Sequence, residues 1–207
     1  MTGIDLSFLL KGFIIGFAIA APVGPIGILC IRRTLADGRL TGFFSGLGAA
    51  SADMSYGAVA AFGLTAFQNL LMGARYWLHL IGGLFLIYLG IRTFLTKPPN
   101  KASAESLNRN LFQAYLSTLV LTLTNPATII SFTVIFAGLR LGEAHGNFLS
   151  AGLLVGGVFF GSSVWWLTLS LIVGLFRERF TPSWMFWVNR LAGTIILAFG
   201  LFALIIK

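Results

Sequence analysis

The chain has 207 residues, 57% of them hydrophobic and 10% charged. A soluble domain carries about 25% charged residues, and a chain this short has too much surface to hide so much apolar side chain from water; a water-soluble globule is excluded, and most of the chain is solvated by lipid. The formal net charge of +8 does not mark a nucleic-acid binder, because no basic stretch is interleaved with aromatics on a polar surface.

The first apolar run covers residues 9–31. Lys11 precedes it, and Ala18-Ile19-Ala20 has the look of a signal-peptide cleavage site. The run continues to Arg32-Arg33, however. That is enough to cross a bilayer, which needs about 20 residues, so it is expected to be a retained span. Inside it lies "AIAAPVGPIG", residues 18–27. Pro22 and Pro25 each remove an N–H and crowd a carbonyl one turn back. In lipid each orphaned carbonyl costs several kcal/mol, so irregular backbone survives only where protein or a wet cavity surrounds it. With Gly24 able to take a positive φ, Pro22-Val23-Gly24-Pro25 predicts an unwound segment rather than a kink. Cys30 is the chain's one cysteine, which excludes a disulfide framework within the chain and a thiol-pair electron carrier.

The second span, residues 42–64, carries Asp53, the one acidic residue well inside any span. A carboxylate at the bilayer centre costs about 2.5–3.5 kcal/mol on insertion scales. Asp53 shares a helix face with Gly46, Ala49, Ala50, Gly57 and Ala60, spaced by threes and fours. Small faces pack on other helices, so Asp53 is expected to point into the bundle. There it could carry a proton or hold a substrate ammonium, or simply bond to the broken backbone of another helix. The flanking Ser51, Ser55 and Tyr56, like Ser162 and Ser163 in span five, could line a polar path, though a serine in a membrane helix more often bonds back to its own turn.

The third span is residues 77–95. A polar stretch, "TKPPNKASAESLNRN", follows and reads as a linker. The expected organisation is a first three-span unit (residues 1–96), a cytoplasmic linker (97–110) and a second three-span unit (111–207). The fourth span, 111–139, contains Thr124-Asn125-Pro126-Ala127. Asn125 precedes a proline and is biased away from helical dihedrals; its amide offers donors and acceptors that suit a zwitterion or the carbonyls freed by Pro126. The fifth span, 148–176, holds Ser162, Ser163, Trp165 and Trp166, and the sixth covers 184–206. Glycine pairs Gly12/Gly16, Gly42/Gly46 and Gly152/Gly156 favour close helix contacts. His79 and His145 stand alone, with no further ligand at metal-site spacing.

The halves resemble each other. "IGGLFLIYLGIRTF" in span three aligns with "LAGTIILAFGLFAL" in span six, so that Gly83 matches Gly193 and Gly90 matches Gly200. Thirty positions before each first glycine stand Asp53 and Ser163. The break at Pro22–Pro25 corresponds to Asn125-Pro126. A three-span repeat must invert across the membrane. The expected fold class is therefore an all-α membrane protein of six transmembrane helices in two inverted three-helix repeats, broken in spans one and four. Inverted repeats with paired broken helices are the architecture of many secondary transporters, which bind substrate near the midplane. Ten Lys and Arg lie in loops one, three and five, against four elsewhere. The first, third and fifth loops are thus expected in the cytoplasm and both termini outside.

Together, "PVGPIGILCIRRTLADGRLTGFFSGLGAASAD", "GGLFLIYLGIRTF" and "TNPATIISF" resemble the LysE/RhtB-type amino-acid exporters of bacterial inner membranes. The resemblance spans nearly the whole chain. It implies a multi-pass exporter of amino acids or related small metabolites, driven by the proton gradient, with Gly24, Pro25, Asp53, Asn125 and Pro126 on the family's motif positions. Ala127 stands where many members carry lysine, and Val23 interrupts the commoner Pro-Gly-Pro, so no particular substrate is carried over. The expected substrate-binding or coupling residues are Pro22, Gly24, Pro25, Asp53, Thr124, Asn125, Pro126 and Ser163. No catalytic cluster, metal site or cofactor is expected. The expected partners are an amino acid, protons and the bilayer, with room for a homodimer and no nucleic acid. A passive channel or metal-ion exporter of related architecture is the alternative; it would show no trans-acceleration in counterflow.

Overall fold

The structure is a computed structural model that describes residues 6–22, 24–62, 75–96, 110–125, 128, 131–132, 148–177 and 181–205. Among these residues every regular element is a helix: α1 (Ser7–Ala20), α2 (Pro25–Asp37), α3 (Arg39–Ala61), α4 (Arg75–Leu95), α5 (Leu111–Leu123), α6 (Phe148–Phe176) and α7 (Pro182–Ile205). Pro126, Ala127, most of the interhalf linker and His145 lie outside the described residues.

The first apolar run is two helices, not one. α1 stops at Ala20, α2 starts with Pro25 at its first position, and their axes differ by 80°. A proline's missing N–H is harmless at a helix start but breaks a ladder in the interior. α2 runs on past the expected end of the span, through Arg32 and Arg33 to Asp37. There Gly38 takes φ 101° and ψ 167°, a region essentially restricted to glycine. That residue turns the chain directly into α3. Arg177, just past α6, donates to the carbonyls of Leu35 and Ala36, satisfying acceptors that the end of α2 leaves open.

α6 and α7 are each long and apolar enough to cross a membrane, and α1 with α2 makes a third crossing if the bent pair is one span. α3 has the length, at 23 residues, but Gly, Ala, Ser and Asp53 dilute its apolar character. That dilution follows from its place at the centre. α3 packs on α5 and α6, α1 lies on α6, α4 lies on α7, and α2 wedges against α3, α6 and α7. Outward faces are apolar, with Leu10, Ile14, Leu84, Phe160, Leu171, Leu191 and Phe202 exposed. On a soluble protein so much exposed apolar surface would drive association; in lipid it is the solvated face.

Two glycine seams set the close approaches. Gly12 and Gly16 of α1 lie against the backbone of Leu154 and Val158, while Gly157 and Gly161 of α6 lie against the backbone of Leu9 and Phe13. A Cβ at any of the four would collide with main chain. Gly152 and Gly156, the pair named from the sequence on this helix, have nothing within 4 Å among the described residues. In the second seam, Gly83 of α4 meets Gly200 of α7, and Gly90 meets Gly193, each 3.1 Å from the partner's carbonyl oxygen to where a Cβ would stand.

Candidate functional site

The break between α1 and α2 opens on a cavity of about 200 Å³. Its walls include Pro22, Gly24 and Pro25 from the break, Asp53 from α3, Asn125 past the end of α5, and Trp166 from α6. Gly24 has φ −103°, ordinary extended backbone, so the positive φ expected there is not used. Among the described residues a Cβ on Gly24 would meet nothing within 4 Å, so glycine leaves room there with respect to them.

Asp53 is 3% exposed. Ser162 donates to its Oδ2 at 2.7 Å, and the Trp166 indole donates to the Ser162 hydroxyl at 3.2 Å. The direction is fixed by chemistry. An indole N–H can only donate, so the single hydroxyl proton of Ser162 is left for the carboxyl oxygen. A hydrogen bond to a charged group contributes about 1.5–3 kcal/mol, comparable with the about 2.5–3.5 kcal/mol cost of placing a carboxylate at mid-membrane. Gly46 completes the arrangement, because a Cβ there would run into Trp166. The small face of α3 therefore lets a carboxylate and a tryptophan approach each other across one helix contact.

The end of α5 supplies the opposite wall. Its last carbonyls all find donors. Val120 accepts from Thr124 N–H and Thr124 Oγ1, Leu121 from Thr124 Oγ1, Thr122 from Asn125 N–H, and Leu123 from Tyr56 Oη at 2.6 Å. Tyr56 reaches across from α3 to satisfy a carbonyl that a continuous helix would have used itself. Asn125 is 8% exposed, and its Nδ2 donates to Thr128 Oγ1 at 3.0 Å.

Of the residues expected from sequence, Pro22, Gly24, Pro25, Asp53 and Asn125 line one cavity. Thr124 is buried beside it but spends its hydroxyl on the α5 carbonyls. Pro126 lies outside the described residues. Ser163 is not in the cavity wall, and among the described residues its Oγ has no hydrogen-bond partner; its neighbour Ser162 is the residue on Asp53. Ser51 and Ser55 bond back to Leu47 and Ser51 within α3, as expected.

Sequence reasoning also missed Arg33, counting it as a loop charge. It sits within α2, and its guanidinium donates to Ser45 Oγ on α3 and to Ala114 O, Thr118 Oγ1 and Ser117 Oγ on α5. No local pattern announces this, since the acceptors on α5 are over 80 positions away. The run of hydroxyls in "YLSTLVLTLT" is the one signal that could have pointed to it.

A family model described as LysE type translocator matches residues 17–207. The chain is 24% identical over 200 residues to the protein named putative amino acid efflux protein YcgF of Bacillus subtilis (strain 168), covering 95% of each chain. It is 25% identical over 194 residues to uncharacterized membrane protein slr1627 of Synechocystis, covering 90% of this chain and 91% of that one. No solved structure matches.

Proposed function

The chain belongs to the LysE type translocator family, and on that premise we propose that it exports amino acids or related small metabolites across the bacterial inner membrane by proton antiport, with Asp53 as the coupling group. The observation that carries this reading is the Asp53 carboxyl group, buried on the Ser162–Trp166 relay and facing a small cavity at a helix break. Its similarity to a protein named for amino-acid efflux supports the substrate class.

The cavity suits a zwitterion. α2 begins there with no side-chain cap, and a helix start carries partial positive charge and free N–H groups for a carboxylate. Asp53 stands across the cavity to hold an ammonium or, in its absence, a proton. Asn125 offers an amide to either end. Competition between ammonium and proton for one carboxylate is the simplest form of antiport: each releases the other.

In this reading the protein is six spans in two inverted repeats, residues 1–96 and 111–207, joined by a cytoplasmic linker. The second glycine seam supports it. Under the correspondence of Gly83 with Gly193 and Gly90 with Gly200, the contact Gly83–Gly200 turns into Gly193–Gly90, which is the other contact present. A two-fold axis between α4 and α7 requires that exchange. Likewise α1 on α6 becomes α5 on α3. The ends of α2, α4 and α6 and the starts of α3, α5 and α7 share one end of the bundle, linked by Arg33, Arg177 and the Asn189–Thr96 bond. The charge bias puts that end in the cytoplasm and both termini in the periplasm.

Reconstitution into liposomes tests the proposal. A panel of labelled amino acids is supplied with and without a pH gradient, to wild type and to Asp53→Asn. Wild type should move at least one amino acid against its gradient when the pH gradient is imposed, and Asp53→Asn should not. Full gradient-driven transport by the variant would remove Asp53 from coupling. Counterflow without trans-acceleration would make the protein a channel.

A further inference from the structure

A second cavity, of about 370 Å³, lies nearer the loop end of the bundle between α2, α4 and α5. It has the dimensions of a small-molecule site, about 300–1,000 Å³. It exists because α4 and α5 diverge. They meet where Gly82 lies against the Thr124 carbonyl, and otherwise scarcely touch. Among the described residues three guanidiniums line it, Arg32, Arg33 and Arg92, with one carboxylate, Asp37.

The three arginines are not equivalent. Arg33 is spent on four acceptors, as described above. Arg32 is half-buried and gives only Nε, to Asn189 Oδ1 at 3.0 Å; Asn189 passes the bond on to the Thr96 carbonyl. Among the described residues the two terminal nitrogens of Arg32 and the whole guanidinium of Arg92 have no acceptor. The Arg32 and Arg92 charges also repel one another. Two like charges aimed into one pocket with open donors form a fork for an oxyanion. The Nε bond to Asn189 fixes the Arg32 fork in place before any ligand arrives.

The walls of this cavity and of the Asp53 cavity meet in one apolar cluster. Leu29 and Leu89 form part of the wall of the arginine cavity, and Ile26, Ala49 and Trp166 that of the Asp53 cavity. All five belong to one buried cluster that also contains Leu86 and Leu121. The two cavities therefore adjoin a common apolar septum.

We propose that the arginine cavity is a loading vestibule, in which Arg32 and Arg92 hold the carboxylate of the exported solute before it crosses the Leu29–Leu86–Leu89–Leu121 septum to Asp53. The role in export rests on the transport reading above; the oxyanion site does not. A solute is favoured over a lipid headgroup because the lining is polar on every wall, with Thr41, Thr93, Asn110, Gln113 and Ser117 beside the arginines.

Inorganic phosphate is a suitable probe, since it presents the same pair of oxygens to a guanidinium fork. Its 31P NMR line is followed with the purified full chain in a maltoside detergent. Saturable broadening is expected with wild type and with Asp53→Asn. Arg92→Gln, at an exposed position that leaves the fold intact by size exclusion, should weaken phosphate binding about tenfold or more. Arg92→Lys should fall between. The amino acid found to be exported should compete with phosphate. No saturable broadening with wild type would overturn the site while leaving Asp53-dependent export untouched. Saturable phosphate binding without any amino-acid export in liposomes would overturn the loading role and the transport reading together, leaving an oxyanion site. In nanodiscs, loss of phosphate binding when phosphatidylglycerol is added to phosphatidylcholine would assign the pocket to a lipid headgroup and overturn the loading role.

Discussion

Under the proposed inverted repeat, α3 and α6 occupy matching places, and each has an outer partner, α5 for α3 and α1 for α6. Yet they differ at the matching residues. Asp53 of α3 is buried, hydrogen-bonded and turned to a cavity, whereas Ser163 of α6 has a buried hydroxyl with no hydrogen-bond partner among the described residues and no place in that cavity. The halves agree where backbone meets backbone and disagree where a titratable group is needed. In the proposed mechanism such a frame would rock about its own axis, and the single carboxylate would give that motion one proton-bearing site. In that proposal the seams belong to the frame, and the Asp53–Ser162–Trp166 chain belongs to the chemistry.

The largest effects should come from the frame. Gly157→Leu drives a side chain into the Leu9 and Phe13 backbone, which cannot yield as a flexible side chain could. The cost should exceed the about 1–3 kcal/mol of an ordinary overpacked core site. No monodisperse protein is expected on fluorescence-detected size exclusion. Gly152→Leu, on the same helix with no described residue within 4 Å of its Cβ position, should behave as wild type. If both variants fold, the α1–α6 seam is not what holds this bundle.

Next comes the chemistry. Asp53→Asn keeps the shape and the bond from Ser162 but cannot exchange a proton, so gradient-driven transport should fall to the protein-free background, with the elution profile unchanged. Ser162→Ala should do less. It removes one hydrogen bond to a carboxylate and leaves the Trp166 indole without its acceptor; about 1.5 kcal/mol corresponds to about tenfold in transport rate. A Ser162→Ala loss as deep as that of Asp53→Asn would mean that the relay, not the carboxylate, is the limiting element.

How far these features could be read from sequence depends on how local their causes are. The helix break follows from Pro22 and Pro25 themselves, and the inward aim of Asp53 follows from the small residues on its own face. Both causes lie within a few turns. The glycine register was not legible. Gly152/Gly156 and Gly157/Gly161 have the same spacing, and only the position of α1 decides which pair is used. Arg32 and Arg33 read as the charged end of a span because charges usually stop one. Here the helix continues to Asp37, since hydroxyls from α3 and α5 receive the Arg33 guanidinium. Ser162 and Ser163 were separable only by helix phase at the α3–α6 contact, which alignment of the halves sets no better than one residue.

That one-residue difference gives the smallest predicted effect. Ser163→Ala should leave transport within about twofold of wild type, because its hydroxyl bonds to nothing that the site uses. Removing a buried, unsatisfied hydroxyl should if anything stabilise the fold, as the residue gives up a desolvated group and no hydrogen bond. Thermal unfolding should therefore show an equal or higher Tm. If Ser163→Ala instead reduces transport as strongly as Ser162→Ala, then α6 turns during the cycle to present Ser163 where Ser162 now stands. The two halves would then use their matching residues in alternation, and the asymmetry between Asp53 and Ser163 would belong to one state of the transporter rather than to its mechanism.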